Sequence, residues 1–262
     1  MNVYTFNNVL KYSFSVFLMF LIAISGYAQD RGKIVTDRPD QTESAETVPK
    51  KYIQIESGIV YEKENSNLTN FAFNNTLIRY GILESVELRL GAEYLGINDE
   101  VNDTKINGLA PVTIGTKVQV IEYSKIFDQL GFITHLQFPK LSSPDFEAKN
   151  IAPVILVAAS NDITENISTG YNLGVEWDGF TTTANGIYSV ALGYSIKDNI
   201  GVFGEFYGNF PEGNNKADIR FDTGITYLVL DNIQFDLSGG IGLNEAAPDF
   251  FIGAGFSGRF PN

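Results

Sequence analysis

The connections between the strand-like runs of this chain alternate in length, and few folds produce that pattern. Beyond residue 50 the sequence divides into twelve short segments with apolar residues at every second position. They are 51–62, 70–82, 85–97, 111–122, 129–138, 153–161, 166–177, 185–197, 200–209, 218–230, 233–243 and 249–260. Successive side chains of a strand point to opposite faces, so a period of two marks half-buried strands. No stretch of this region keeps the helical period. The links after even-numbered segments are tight: Leu83-Glu84, 162–165, Asp198-Asn199 and Asp231-Asn232, with 123–128 a little longer. The links after odd-numbered segments are generally longer and more polar: 63–69, 98–110, 139–152, 178–184, 210–217 and 244–248. A soluble sandwich has no reason to sort its loops by parity. A closed barrel spanning a membrane does, with short turns at one rim, long loops at the other, an even strand count and both termini on the short-turn side.

The faces of the segments agree with this. In 85–97, Val86, Leu88, Leu90, Ala92 and Tyr94 oppose Glu87, Arg89, Gly91 and Glu93. In 218–230, Ile219, Phe221, Thr223, Ile225, Tyr227 and Val229 oppose Arg220, Asp222, Gly224, Thr226 and Leu228. Most segments have about the 9–11 residues a tilted strand needs to cross a bilayer. Lipid-facing and lumen-facing residues average out, so the balanced mean hydropathy does not indicate a soluble protein. Glycines on the polar face make room inside a narrow barrel. Tyr61, Tyr94, Trp177 and Tyr227 are expected at the loop end of their strands, as an interfacial aromatic girdle. The last segment, Phe250-Phe251-Ile252-Gly253-Ala254-Gly255-Phe256-Ser257-Gly258-Arg259-Phe260, is apolar on one side and small or polar on the other. It resembles the closing strand of bacterial outer-membrane barrels, which serves that class as its assembly signal; the resemblance implies the barrel-assembly machinery as a partner. The expected fold is all-β, a 12-stranded antiparallel transmembrane β-barrel of outer-membrane type, with outer-membrane lipid around it.

The N-terminus fits the same compartment. Lys11 is the only charge before Asp30, Ser13 to Ile24 is apolar, and Gly26-Tyr27-Ala28 supplies small residues before a cut ahead of Gln29. The run is shorter than the ~20 apolar residues of a membrane-spanning helix, so residues 1–28 read as a cleavable signal peptide. Residues 29–50 are polar, carry Pro39 and Pro49 and show no alternation. They form an N-terminal arm, either periplasmic or folded into the barrel mouth, and 51–262 form the barrel domain. The formal net charge is −13, and loss of the leader removes one Lys and no acid. So acidic a chain disfavours nucleic acid as a partner. Without cysteine there are no disulfides, thiolate chemistry or lipoprotein anchor, and a single His rules out most His-based catalysis and metal sites.

Thr36-Asp37-Arg38-Pro39-Asp40-Gln41-Thr42-Glu43-Ser44, then Val48-Pro49-Lys50-Lys51-Tyr52-Ile53-Gln54-Ile55-Glu56-Ser57-Gly58, resemble the opening of the MetA-pathway of phenol degradation family. Leu77-Ile78-Arg79-Tyr80-Gly81-Ile82 with Val86-Glu87-Leu88-Arg89, and Ile114-Gly115-Thr116-Lys117, continue the resemblance over nearly the whole mature chain. It implies an outer-membrane barrel that passes aromatic or other hydrophobic compounds; the expected function is passive uptake or efflux of a small solute, hydrophobic or aromatic ones included, without energy coupling. The competing class is a structural or surface-interaction barrel with a salt-bridged, occluded lumen.

The inward face of the strands carries Glu56, Glu62, Arg79, Glu87, Arg89, Glu93, Lys117, Glu176, Glu205, Arg220, Asp222, Asp236 and Arg259. Charges of mixed sign in a closed barrel are expected to pair, because an unpaired buried charge is costly. The network rigidifies the lumen, forms a constriction that selects permeants by charge, or does both. Arg79, Glu87 and Arg89 are the leading candidates, since neighbouring strands present them in the periplasmic half. Asp37, Arg38 and Asp40 make the arm a candidate plug that pairs with Arg79 or Arg89. Enzymatic readings fare poorly. Twelve strands is also the count of outer-membrane phospholipase, which requires a lipid-facing Ser/His pair, whereas His135 is in phase with the inward Gln129, Gly131 and Gln137 and reads as a hydrogen-bonded lumen residue. Gly253–Gly258 matches GxGxxG with no helix to follow. The acidic run 99–103 lacks the spacing of a calcium loop. No catalytic residue, metal or cofactor is expected.

Overall fold

A computed structural model describes residues 32–211 and 216–262; the expected signal peptide lies outside them. Thirteen strands form one sheet: β1 (Tyr52–Lys63), β2 (Leu68–Leu83), β3 (Val86–Asp99), β4 (Thr104–Leu109), β5 (Val112–Glu122), β6 (Gln129–Phe138), β7 (Ala152–Thr164), β8 (Ile167–Trp177), β9 (Ala184–Lys197), β10 (Ile200–Pro211), β11 (Asp218–Leu230), β12 (Ile233–Gly242) and β13 (Phe250–Pro261). β1 neighbours both β2 and β13, β2 pairs with β3, and β3 with β5, so twelve strands close into a ring. Closure leaves no unpaired edge in the hydrocarbon, the condition for any sheet that crosses a membrane.

The thirteenth strand is the departure from the sequence reading. Residues 98–110 read as a loop, but β4 continues a hairpin with the upper end of β3, from Asp99↔Thr104 to Tyr94↔Leu109. Its turn is locally encoded. Asp99 Oδ1 accepts from the backbone N–H groups of Val101 and Asn102, and Asp103 adopts a left-handed φ of 47°. Six residues are too few to show a clear alternation. The short turns all lie at one rim and the longer loops at the other, as the parity of the connections requires.

Burial is inverted relative to a soluble protein. The largest fully buried side chains include Arg79, Lys117, Gln54, Glu56, Glu87 and Glu205, while Leu88, Leu173, Leu192, Phe206, Leu237 and Ile252 are exposed. In water this would be a liability; in a bilayer the outer apolar surface is the solvated one. In the closing strand, Phe250 and Ile252 face outward and Phe251 is buried. The girdle differs in one respect. β11 descends toward the short-turn rim, so Tyr227, close to its end, belongs to the periplasmic side with Tyr194 of β9, and not to the loop side with Tyr61, Tyr94 and Trp177.

Candidate functional site

The site is the lumen itself, because the polar arm before β1 runs through it. Backbone groups need partners wherever water is excluded, and along this arm the barrel wall supplies them. Ile34 N–H donates to Asp231 O at 2.7 Å at the foot of β12. Asp37 N–H donates to Glu56 Oε2 on β1 at 2.9 Å. Gln41 N–H donates to Glu205 Oε2 on β10 at 2.7 Å, and Glu43 N–H to Asn172 Oδ1 on β8 at 2.7 Å. Val48 N–H donates to Glu87 Oε2 on β3 at 2.7 Å, after which Lys50 bridges to Gly81 and the chain enters β1. The arm therefore leaves one wall, crosses to the opposite side and returns.

Its centre is an ionic latch. The Asp37 carboxylate meets three cations from three strands: Arg79 of β2 at 3.1 Å, Arg89 of β3 at 2.8 Å and Lys117 of β5 at 2.8 Å. Arg79 also bonds Glu56 at 2.9 Å and Glu87 at 2.8 Å, and donates to the Glu46 carbonyl at 2.9 Å. Arg89 reaches Glu87 at 3.1 Å and Glu43 of the arm at 2.6 Å. Apart from the half-buried Glu43 these charges are almost wholly buried, and Asp37, Arg79, Arg89 and Glu87 each have several partners of opposite sign, which is what makes burial of ions tolerable. Desolvation pushes the Asp37 carboxyl up, but Arg79, Lys117 and Arg89 together outweigh it and hold the group well below the usual carboxylate range.

Smaller contacts fix the remainder. Arg38 donates to Asp236 of β12 at 3.0 Å, with its guanidinium lying against Gly58 and Gly255, where any Cβ would collide with it. Thr42 bonds Ser189 Oγ at 2.7 Å and also Glu205. Glu46 accepts from Gln129 at 2.9 Å, and Ala45 packs on Ile133, Leu156 and Ala158 in a small apolar patch inside the barrel.

The expected residues thus fall into two groups. Arg79, Glu87, Arg89 and Lys117 meet in the latch with Asp37 of the arm. Asp40 lines the lumen near Glu205, and Glu205 and Asp222 are ladder partners on β10 and β11. Arg259 is buried at the foot of β13, with its guanidinium 5.9 Å from the Tyr52 ring. Nearer the loop rim, Arg220 bonds Asp218 and Glu62. Glu93, Glu176 and Asp222 depart from the expected pairing: among the described residues none of the three has an ion pair or accepts a hydrogen bond from a donor, and Asp222 has the like-charged Glu205 beside it. His135 faces inward as expected, but among the described residues its buried Nε2 has no hydrogen-bond partner, so the hydrogen-bonded histidine anticipated is not what the lumen holds. Sequence reasoning missed Glu43 and Glu46 as arm residues that bond the wall, and Gln54, Gln129, Asn172 and Ser189 as wall partners of the arm. The strand members among them were visible only as inward-phased polar residues.

The arm leaves space on both sides. Toward the loop rim lie cavities of about 340 Å³, lined by Glu62, Arg89 and Tyr207, and about 370 Å³, lined by Asn172, Glu176 and Asp218; Gln41, Glu43 and Arg220 border both. Toward the short-turn rim, a cavity of about 230 Å³ is lined by Thr42, Ser44, Ser168 and Gly193.

The comparisons agree with this architecture. The outer membrane channel COG4313 from Pseudomonas putida F1 superimposes with a TM-score of 0.63 at 13% identity, over 82% of this chain and 98% of that one. The NanC porin gives 0.53 at 11% identity, over 79% and 98%, and the KdgM porin in complex with disordered oligogalacturonate gives 0.52 at 10%, over 79% and 98%. At such identities the likeness shows the fold, an outer-membrane barrel. Among curated proteins no relative matches the sequence. One family model covers residues 36–260, from the arm through the latch to the closing strand, and by that match the chain belongs to the family described as "Putative MetA-pathway of phenol degradation".

Proposed function

We propose that this protein is a passive outer-membrane channel for small solutes, hydrophobic or aromatic ones included, whose lumen is gated by its N-terminal arm. The observation that carries the reading is the pairing of an arm across the lumen with cavities on either side of it. A purely structural barrel has no use for vestibules; a conduit interrupted by one removable segment has both. In this reading Asp37, Arg38 and Asp40 belong to the plug, and Arg79, Glu87, Arg89 and Lys117 are the wall of the constriction. Glu205 and Asp222 flank the arm from the far wall. Glu176 and Arg220 line the entrance, Glu93 faces inward from β3, and Arg259 braces the foot of the closing strand. The chain reaches the outer membrane through a leader cleaved after residue 28, is inserted by the barrel-assembly machinery and works in contact with lipid. It carries out no chemistry of its own and binds no nucleic acid.

Planar-bilayer recording of the refolded protein, with liposome swelling in small aromatic solutes, tests this. Small, intermittent conductance and swelling above protein-free vesicles are expected. Absence of both, in protein that migrates as a folded barrel on gels, contradicts transport.

A further inference from the structure

We propose that the path discriminates by charge sign, admitting neutral and cationic small solutes and rejecting anions, and that Glu93 and Glu176 set this preference at the loop-side entrance. The inference deepens the channel reading and rests on it.

The two entrance cavities are bordered by charges of both signs, but not by free charges of both signs. Arg220 is held from two sides, donating to Asp218 Oδ2 at 2.8 Å and to Glu62 Oε2 at 3.0 Å. Arg89, on the floor, is engaged by Asp37, Glu43 and Glu87. Arg38, the remaining cation there, is matched to Asp236. The basic groups are therefore neutralised by fixed carboxylates. Glu176 lines the larger cavity with no such partner, and Glu93 stands on the inward face of β3 in the same state, among the described residues. The uncompensated field at the entrance is negative, and a narrow cleft between low-dielectric walls focuses it, concentrating counter-ions and excluding co-ions. At 340–370 Å³ the cavities are at the small end of ligand-sized spaces, so a solute in the larger one passes close to the Glu176 carboxylate.

The test uses two aromatic probes of fixed and opposite charge, phenyltrimethylammonium and benzenesulfonate, in liposome swelling with the full-length refolded barrel, alongside reversal potentials in a potassium chloride gradient. The ammonium probe is expected to enter about tenfold faster, the low end of enrichment in a charged cleft, and the reversal potential to have the sign of cation preference. Glu93→Gln combined with Glu176→Gln is expected to remove most of this ratio while heat-modifiable migration stays normal. Equal or faster entry of benzenesulfonate overturns the inference and leaves the channel reading intact. An undiminished ratio in the double variant overturns the assignment to Glu93 and Glu176. Neither probe entering, with no current, overturns the channel reading and this inference with it.

Discussion

Asp37→Ala is expected to release the arm and raise conductance sharply. The substitution removes the one carboxylate shared by Arg79, Arg89 and Lys117, leaving Lys117 without an ion-pair partner among the described residues. Removing one partner from a buried ionic cluster costs about 3–5 kcal/mol, and here that falls on the latched state alone. It corresponds to about two to four powers of ten in the ratio of latched to free arm. Hydrogen exchange reads the same event, because the amides of Gln41, Glu43 and Val48 donate to wall side chains only while the arm is seated. Unchanged conductance and unchanged protection in the variant would mean that the latch does not hold the arm. The native Asp37 carboxyl lies below its unfolded value, so its stabilisation is fully present above the ordinary carboxylate range. It is lost only as pH falls through the depressed native value, and mild acid does not reproduce the substitution at this residue.

Ile225→Arg is expected to impair insertion severely, and Thr226→Arg much less. Ile225 is exposed at mid-strand on the outer face of β11, with Val202 and Leu237 as its ladder partners. An arginine at the bilayer midplane of a barrel costs about 2–4 kcal/mol. Thr226 points into the lumen, where its ladder partner on β12 is Asp236, so a guanidinium there meets water and a carboxylate. The fraction of heat-modifiable barrel after refolding into vesicles measures both. Equal losses would reverse the assignment of faces.

The architecture was legible because a barrel writes itself twice, in strand alternation and in loop parity, and the two agree from residue 51 to the end. Inward phase located Arg79, Glu87, Arg89 and Lys117 correctly, since a period of two assigns faces without knowledge of partners. The unread parts have physical reasons. The course of the arm depends on side chains from many strands meeting one irregular segment, and no local pattern encodes such a meeting; Asn172, Ser189 and Gln129 look like ordinary lumen residues until the arm is in place. β4 escaped because its six residues extend a hairpin beyond the rim, where neither lipid nor core imposes alternation. The unpaired state of Glu93 and Glu176 was equally invisible, since counting charges of each sign does not show which ones meet.

Seating of the arm is tested most directly by cross-linking it to the wall. The chain has no cysteine, and a Cβ built on Gly170 of β8 lies 3.9 Å from Cβ of Thr42, within the 3.5–4.5 Å span of disulfides. Thr42→Cys with Gly170→Cys is therefore expected to oxidise readily, to hold conductance at or below the wild-type level, and to conduct more once reduced. Failure to form the disulfide in a folded barrel, or identical currents in the oxidised and reduced states, would contradict an arm that closes the lumen.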